Sequence, residues 1–222
     1  MIEVKRFGEK SLIIQFENII SIPVHQQVKN YYKHLLHSSI DGIKSISPAY
    51  NSITLMFDPL VTSFDALKEK VENLEIDSNT TADQKVVEIP VCYDSSLGLD
   101  IEEVAQSKNI AIDEIIHLHT APHYTVYMLG FSPGFMYLGG LNPQLFIPRK
   151  KTPRLQIPAG AVGLADQQTG IYPSATPGGW QIIGQTPLPI FQVNEKPLVQ
   201  MGDQIKFKPI DLDTFHQLKN TK

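Results

Sequence analysis

The sequence predicts an α+β N-terminal domain of ferredoxin-like order followed by an all-β barrel, and three observations carry that expectation. Apolar residues recur first in the order β-α-β-β-α-β over residues 1–92. From Tyr124 to Pro209 the period falls to two, with no helical pattern between the strands. Within that stretch, Gly130–Pro187 holds ten of the chain's 14 glycines and eight of its 16 prolines. Apolar runs such as FMYLGGL and WQIIG persist between them, so the segment reads as short strands joined by tight loops rather than as a linker. Loops of that kind commonly carry a site.

The elements follow in order. Ile2, Val4, Leu12, Ile14 and Phe16 alternate around Gly8, a hairpin or a kinked strand. Pro23 opens a helix in which Val24, Val28, Tyr31, Tyr32, Leu35 and Leu36 recur at helical spacing. Residues 43–57 hold two strands about a turn at Pro48–Ser52. Ser63 caps a helix whose Phe64, Leu67, Val71 and Leu74 form an apolar stripe. Residues 77–85 make a polar, turn-rich connection, and VVEIPVCY supplies the last strand of the first domain. Residues 93–222 form the second domain. It begins with a helical lead-in through DIEEVAQS and AIDEIIHLHT, where Asp100 and Asp113 take cap or first-turn positions. The barrel and a short terminal helix, DLDTFHQLKN, complete it. Closure of such a barrel hides its edge strands.

The composition excludes several classes. A net charge of −4 argues against a general nucleic-acid binder. No apolar run approaches the length of a transmembrane helix, and the N-terminus alternates instead of forming the apolar core of a signal peptide. The lone cysteine, Cys92, excludes an intramolecular disulfide. A cytoplasmic protein is the expectation.

The chemistry-bearing motifs are sparse. The sequence has no Walker A loop and no dinucleotide fingerprint after a strand. In the string nearest a nucleophile elbow, Gly130–Gly134, Pro133 follows Ser132 and removes the N–H that an oxyanion hole would need. His117, His119 and His123 lie close in sequence, but Pro122 ends a helix there and parts them, and no Cys or acidic residue completes a metal set. His119 is the one histidine taken further, either as a site residue at the domain junction or as a satisfied structural group. Arg149, Lys150, Lys151 and Arg154 are either a solvated turn or an anion clamp. Within the run, Arg154 lies in the apolar PRLQIP string and is expected at the site, with Lys150 and Lys151 on the surface. Gln168 and Tyr172 lead into Thr176, Gly178, Gly179 and Trp180. These form either a pocket for a small polar or acidic ligand or a barrel turn plugged by Trp180.

GFSPGFMYLGGL and TPRLQIPAGAVGLADQQTGIYPSATPGGWQIIGQTP closely resemble the family named for the B subunit of 5-oxoprolinase. That family is also called allophanate hydrolase subunit 1 or the sporulation-kinase inhibitor family, and it forms part of carboxyltransferase modules. The resemblance implies an N-terminal α/β domain and a C-terminal cyclophilin-like β-barrel. It also implies an enzyme component that, with the C and A subunits, cleaves 5-oxoproline to glutamate using ATP, the nucleotide being bound by the complex. On that reading Arg154 pairs with the substrate carboxylate and His119 handles a proton or an amide hydrogen bond. Thr176, Gly178 and Gly179 hold an anionic oxygen, Gln168 contributes to binding, and Tyr172 and Trp180 wall the pocket. Two alternatives come with the family: an inhibitor docking on a sporulation sensor histidine kinase, and a scaffold for a carboxyltransferase complex. Met136 stands where the motif expects proline, and His123 where an acidic residue is commoner.

Overall fold

The computed structural model describes residues 2–74, 76 and 84–221, and the chain divides into two compact units, Met1–Asp83 and Gln84–Lys222. In the first unit β1 (Glu3–Arg6), β2 (Ser11–Gln15), β3 (Ile43–Pro48) and β4 (Ser52–Phe57) form one sheet in the order β1-β2-β4-β3, antiparallel throughout. The register sets Leu12 opposite Leu55 and Ile14 opposite Ile53, so one face of the pleat is wholly apolar. The helices α1 (Ile22–His37) and α2 (Phe64–Glu72) cover it with Val24, Val28, Leu35, Leu67 and Val71. Their N-termini are fixed by the expected chemistry. Ser21 Oγ accepts from Val24 N with Pro23 in the first turn, and Ser63 Oγ accepts from Ala66 N.

The ferredoxin-like order fails at its last strand. The strand β5 (Val86–Cys92) belongs to the barrel, where seven residues pair in parallel with β13 (Gln204–Ile210), from Val86↔Gln204 to Cys92↔Ile210. Its Ile89 and Val91 and the Ile205 and Phe207 of β13 enter a single core. The first unit fills the place beside β2 with β1. Local periodicity gives a strand its type but does not name a partner more than a hundred residues away. The polar connection expected at residues 77–85 lies outside the described residues except at Gln84 and Lys85.

Among the described residues, seven strands close the barrel in the order β10-β7-β6-β13-β5-β12-β9. They are β5 and β13 with β6 (Tyr124–Leu129), β7 (Met136–Gly139), β9 (Ala161–Ala165), β10 (Gln168–Ile171) and β12 (Gln181–Gln185). Every residue of β9 and β12 is buried, because one side meets the barrel interior and the other meets packed elements. The helices α3 (Ile101–Lys108) and α4 (Ile112–Thr120) contribute Ile101, Val104 and Ile115 to that core, and α5 (Leu212–Asn220) follows β13. Outside the barrel, β8 (Arg154–Ile157) and β11 (Thr176–Gly178) pair as a two-stranded ribbon. No described helix is long and apolar enough to cross a membrane.

Leu164 is fully buried in this core. Leu164→Ala should therefore lower unfolding free energy by about 3 kcal/mol, read from the urea midpoint of the barrel transition.

Candidate functional site

The ribbon is held by one buried carboxylate. Asp100 precedes α3 and is 2% exposed, yet its side chain makes no capping bond to the helix. Instead Oδ2 accepts from Arg154 Nη1 at 2.7 Å and from the Ile182 N–H at 2.7 Å. Oδ1 accepts from Arg154 Nη2 at 2.6 Å and from Lys150 Nζ at 2.7 Å. Lys150 also reaches Glu103 at 2.8 Å and Gln181 at 3.2 Å. Burial alone would raise the Asp100 carboxyl, but the Arg154 fork, the Lys150 ammonium and the Ile182 N–H outweigh it and hold it below the usual carboxylate range. The Arg154 fork is therefore occupied from within the chain, and a substrate carboxylate would have to displace Asp100. Lys150, expected on the surface, is a half-buried member of the same network because its stem crosses to α3.

On one side of the ribbon lies an aromatic cleft of about 500 Å³. Phe135, Tyr172 and Trp180 meet edge to face, with centroids 5.0 Å (Phe135–Tyr172) and 5.4 Å (Phe135–Trp180) apart. The Trp180 ring is admitted by Gly170, where an added Cβ would stand 2.9 Å from it. Tyr172, Thr176, Gly178, Gly179 and Trp180, all expected at the site, line this cleft together. Burial pushes the Tyr172 hydroxyl up to about 12, so it remains an O–H at neutral pH. The cation in the cleft is Arg149, which is exposed and loosely paired with Asp166 at 3.7 Å. Arg149 belongs to the basic run of the sequence, but Arg154 is the member expected at the site. The apolar flanks of Arg154 marked burial, and burial consumed that side chain in an ion pair. The rim is the turn Ser132–Phe135, closed by Phe135 N–H to Ser132 O at 3.0 Å, with Pro133 and then Gly134 at φ +85°. Ahead of it Phe131 takes φ +72°, a strained region for a bulky residue, and its ring stands 67% exposed. The Ser132 hydroxyl is buried and carries no hydrogen bond among the described residues, so no base activates it.

A second cavity is larger, about 700 Å³. Gln156 of β8 faces it, as do Gln185, Thr186, Leu188, Phe191 and, from α5, Lys219. Sequence reasoning gave this cavity no residue. The group that marks it, Lys219, belongs to a terminal helix whose place the pattern could not supply.

His119 lies elsewhere, fully buried inside the barrel core and stacked on Phe207 at 4.6 Å. Its Nε2 faces Thr169 Oγ1 at 2.9 Å, and that hydroxyl donates to Gly163 O at 3.0 Å. Nε2 therefore carries the proton, and Nδ1 accepts from the Tyr93 hydroxyl at 2.8 Å. Burial drops the imidazole to about 3. It is a neutral structural group without access to either cavity. His117 and His123 are not buried with it, so the three histidines do not converge. Gln168 begins β10 opposite Ala165 and lines neither cavity.

The sequence matches the family model described as carboxyltransferase domain, subdomain C and D, over residues 2–201. The chain belongs to this family. A relative from Bacillus subtilis (strain 168), named as the B subunit of 5-oxoprolinase, is 38% identical to it over 98% of this chain and 96% of its own. The protein of the same name from Haemophilus influenzae is 38% identical over 90% of this chain and 94% of its own. The solved structure of TTHA0988 superposes with a TM-score of 0.80 at 32% identity. That match covers 95% of this chain but only 40% of the TTHA0988 chain, so this chain spans about two fifths of it.

Two outcomes test the geometry of this carboxyltransferase domain. Asp100→Asn leaves the partly buried Arg154 without its anion and Lys150 with Glu103 alone, and should cost about 3 kcal/mol, whereas Lys150→Met, which keeps the Arg154 fork paired, should cost less; urea unfolding at neutral pH measures both. The second outcome concerns His119. Between its ordinary value of 6.5 and about 3 the unfolded chain binds a proton that the folded chain does not. Stability should therefore fall with acid across that window, by about 1.4 kcal/mol per pH unit beyond the carboxylate contribution. His119→Gln should remove that slope, seen as the difference between wild-type and variant urea midpoints from pH 7 downward.

Proposed function

We propose that the chain is the B subunit of an ATP-dependent 5-oxoprolinase, cleaving 5-oxoproline to L-glutamate together with the C and A subunits. The observation that carries this reading is the likeness, over nearly the whole length of both chains, to the two relatives that bear the 5-oxoprolinase name. The chemistry of the cavities supports it. A lactam amide is stable, so its opening needs an activated carbonyl oxygen and a driving reaction. Among the described residues neither cavity is lined by Asp, Glu, His or Cys, and each holds a single cation, Arg149 or Lys219. Such surfaces bind and orient, and on this reading the companion subunits supply the nucleotide site and complete the acid–base machinery.

The aromatic cleft is the wall that a companion completes. Leu155 of β8 is 91% exposed, and strand alternation sets it on the same face as Ile157, which packs with Tyr172 and Trp180. Phe131, which lines the cleft, is a second large apolar side chain left exposed. In TTHA0988 about three fifths of the chain lies outside the matched region, which supports a further polypeptide beside this fold.

Reconstitution tests the reading. Glutamate should form from 5-oxoproline and ATP when this chain is mixed with the C and A subunits, and not when it acts alone. Undiminished glutamate formation with this chain omitted would refute the assignment. Phe131→Asp should abolish co-elution with the companions while leaving the unfolding curve of the chain unchanged.

A further inference from the structure

The larger cavity carries an inference that rests on the 5-oxoprolinase reading and deepens it. We propose that this cavity seats a small cyclic amide acid, 5-oxoproline being the member of that class the reading supplies.

Donors and acceptors in the cavity select this class. Gln185 is 7% exposed, and its Nε2 donates to Ala159 O at 2.6 Å. That bond fixes the amide plane and leaves Oε1 as an acceptor with no partner among the described residues. Thr186 is 3% exposed, and its Oγ1 accepts from the Leu188 N–H at 3.3 Å. Its own hydroxyl proton is then left to donate. The backbone competes little for a ligand here. The Gly160 N–H is spent on Tyr172 O and the Thr186 N–H on Gly160 O, while Pro158, Pro173, Pro187 and Pro189 have no N–H to offer. Lys219 lines the cavity too, its ammonium 5.4 Å from the Phe215 ring centroid, and the lining contains no carboxylate among the described residues.

The cavity thus presents the fixed Gln185 acceptor, the Thr186 hydroxyl donor and Lys219, with Gln156 as a second carboxamide, between apolar walls from Leu188 and Phe191. A lactam acid presents the complement. Its ring N–H donates to Gln185 Oε1, its ring carbonyl accepts from Thr186, its carboxylate pairs with Lys219, and its methylenes meet the apolar wall. A donor on the carbonyl oxygen also polarises the bond that must break. The aromatic cleft lacks this set. Its lining holds no carboxamide, and its side-chain acceptors are the hydroxyls of Tyr137, Tyr172 and Thr176. Gln156–Gly160 and Gln185–Pro187 also fall within the stretch that carries the family resemblance.

Equilibrium binding to the full chain, by titration calorimetry or NMR, tests the assignment with three probes. These are 5-oxoproline, 2-pyrrolidone without the carboxylate, and cyclopentanecarboxylate without the amide. Lys219→Met should weaken 5-oxoproline by about tenfold and leave 2-pyrrolidone unchanged, because one charge-assisted bond is lost. Gln185→Met should weaken both lactams and spare cyclopentanecarboxylate. Arg149→Ala should change none of the three. In the reconstituted complex Lys219→Met should raise KM for 5-oxoproline with little change in kcat. Equal affinity in wild type and both cavity variants, loss of binding in Arg149→Ala, or no binding of 5-oxoproline to chain or complex would overturn the proposal. If the complex turns over without this chain while the Lys219 and Gln185 pattern holds, the 5-oxoprolinase reading fails and the cavity assignment stands.

Discussion

A single buried anion organises the functional half of this molecule. The Asp100 carboxylate takes both arms of the Arg154 guanidinium, the Lys150 ammonium and the Ile182 N–H. These donors come from distant parts of the chain: the first residue of β8, the basic run before it, and the start of β12. One carboxylate therefore fixes the ribbon of β8 and β11 against the barrel. The ribbon in turn lines both cavities, with Gln156 in the larger and Thr176, Pro177 and Gly178 in the aromatic cleft. Its residues alternate, so Gln156 faces the larger cavity while Ile157 packs under the aromatic cleft.

The arrangement has a cost that the geometry offsets. Removing a carboxylate from water is expensive unless all of its lone pairs are used, and Asp100 uses four donors, three of them from cations. The start of α3 gives up a side-chain cap to release this residue. The ion-pair network leaves each cavity with a cation that is not part of it, Arg149 in the cleft and Lys219 in the larger cavity.

Local patterns are legible in the sequence because local physics sets them. Helical spacing and the Ser63 cap mark α2, and the Pro23 first turn marks α1, both where they stand. Period two and the Gly/Pro density announce strands with tight loops from Tyr124 onward, and the Thr176–Trp180 turn does line a cleft. What fails depends on contacts distant in sequence. β5 reads as a strand from its own residues, but its partner β13 follows it by more than a hundred positions. Asp100 reads as a helix cap, and only folding brings it to Arg154, 54 residues on. For the same reason Arg154 reads as the ligand clamp of the basic run, and the more exposed Arg149 is not singled out within it. The larger cavity needs α5, the ribbon and the β12 end at once, and no window of sequence contains all three.

In the proposed account recognition belongs to the larger cavity, with the aromatic face turned toward a companion. The most direct test is a crystal structure of the assembled complex soaked with 5-oxoproline. Ligand density should lie against Gln185, Thr186 and Lys219, with the companion seated over Phe131 and Leu155. Density in the aromatic cleft against Arg149 and Trp180, with the larger cavity empty, would contradict it.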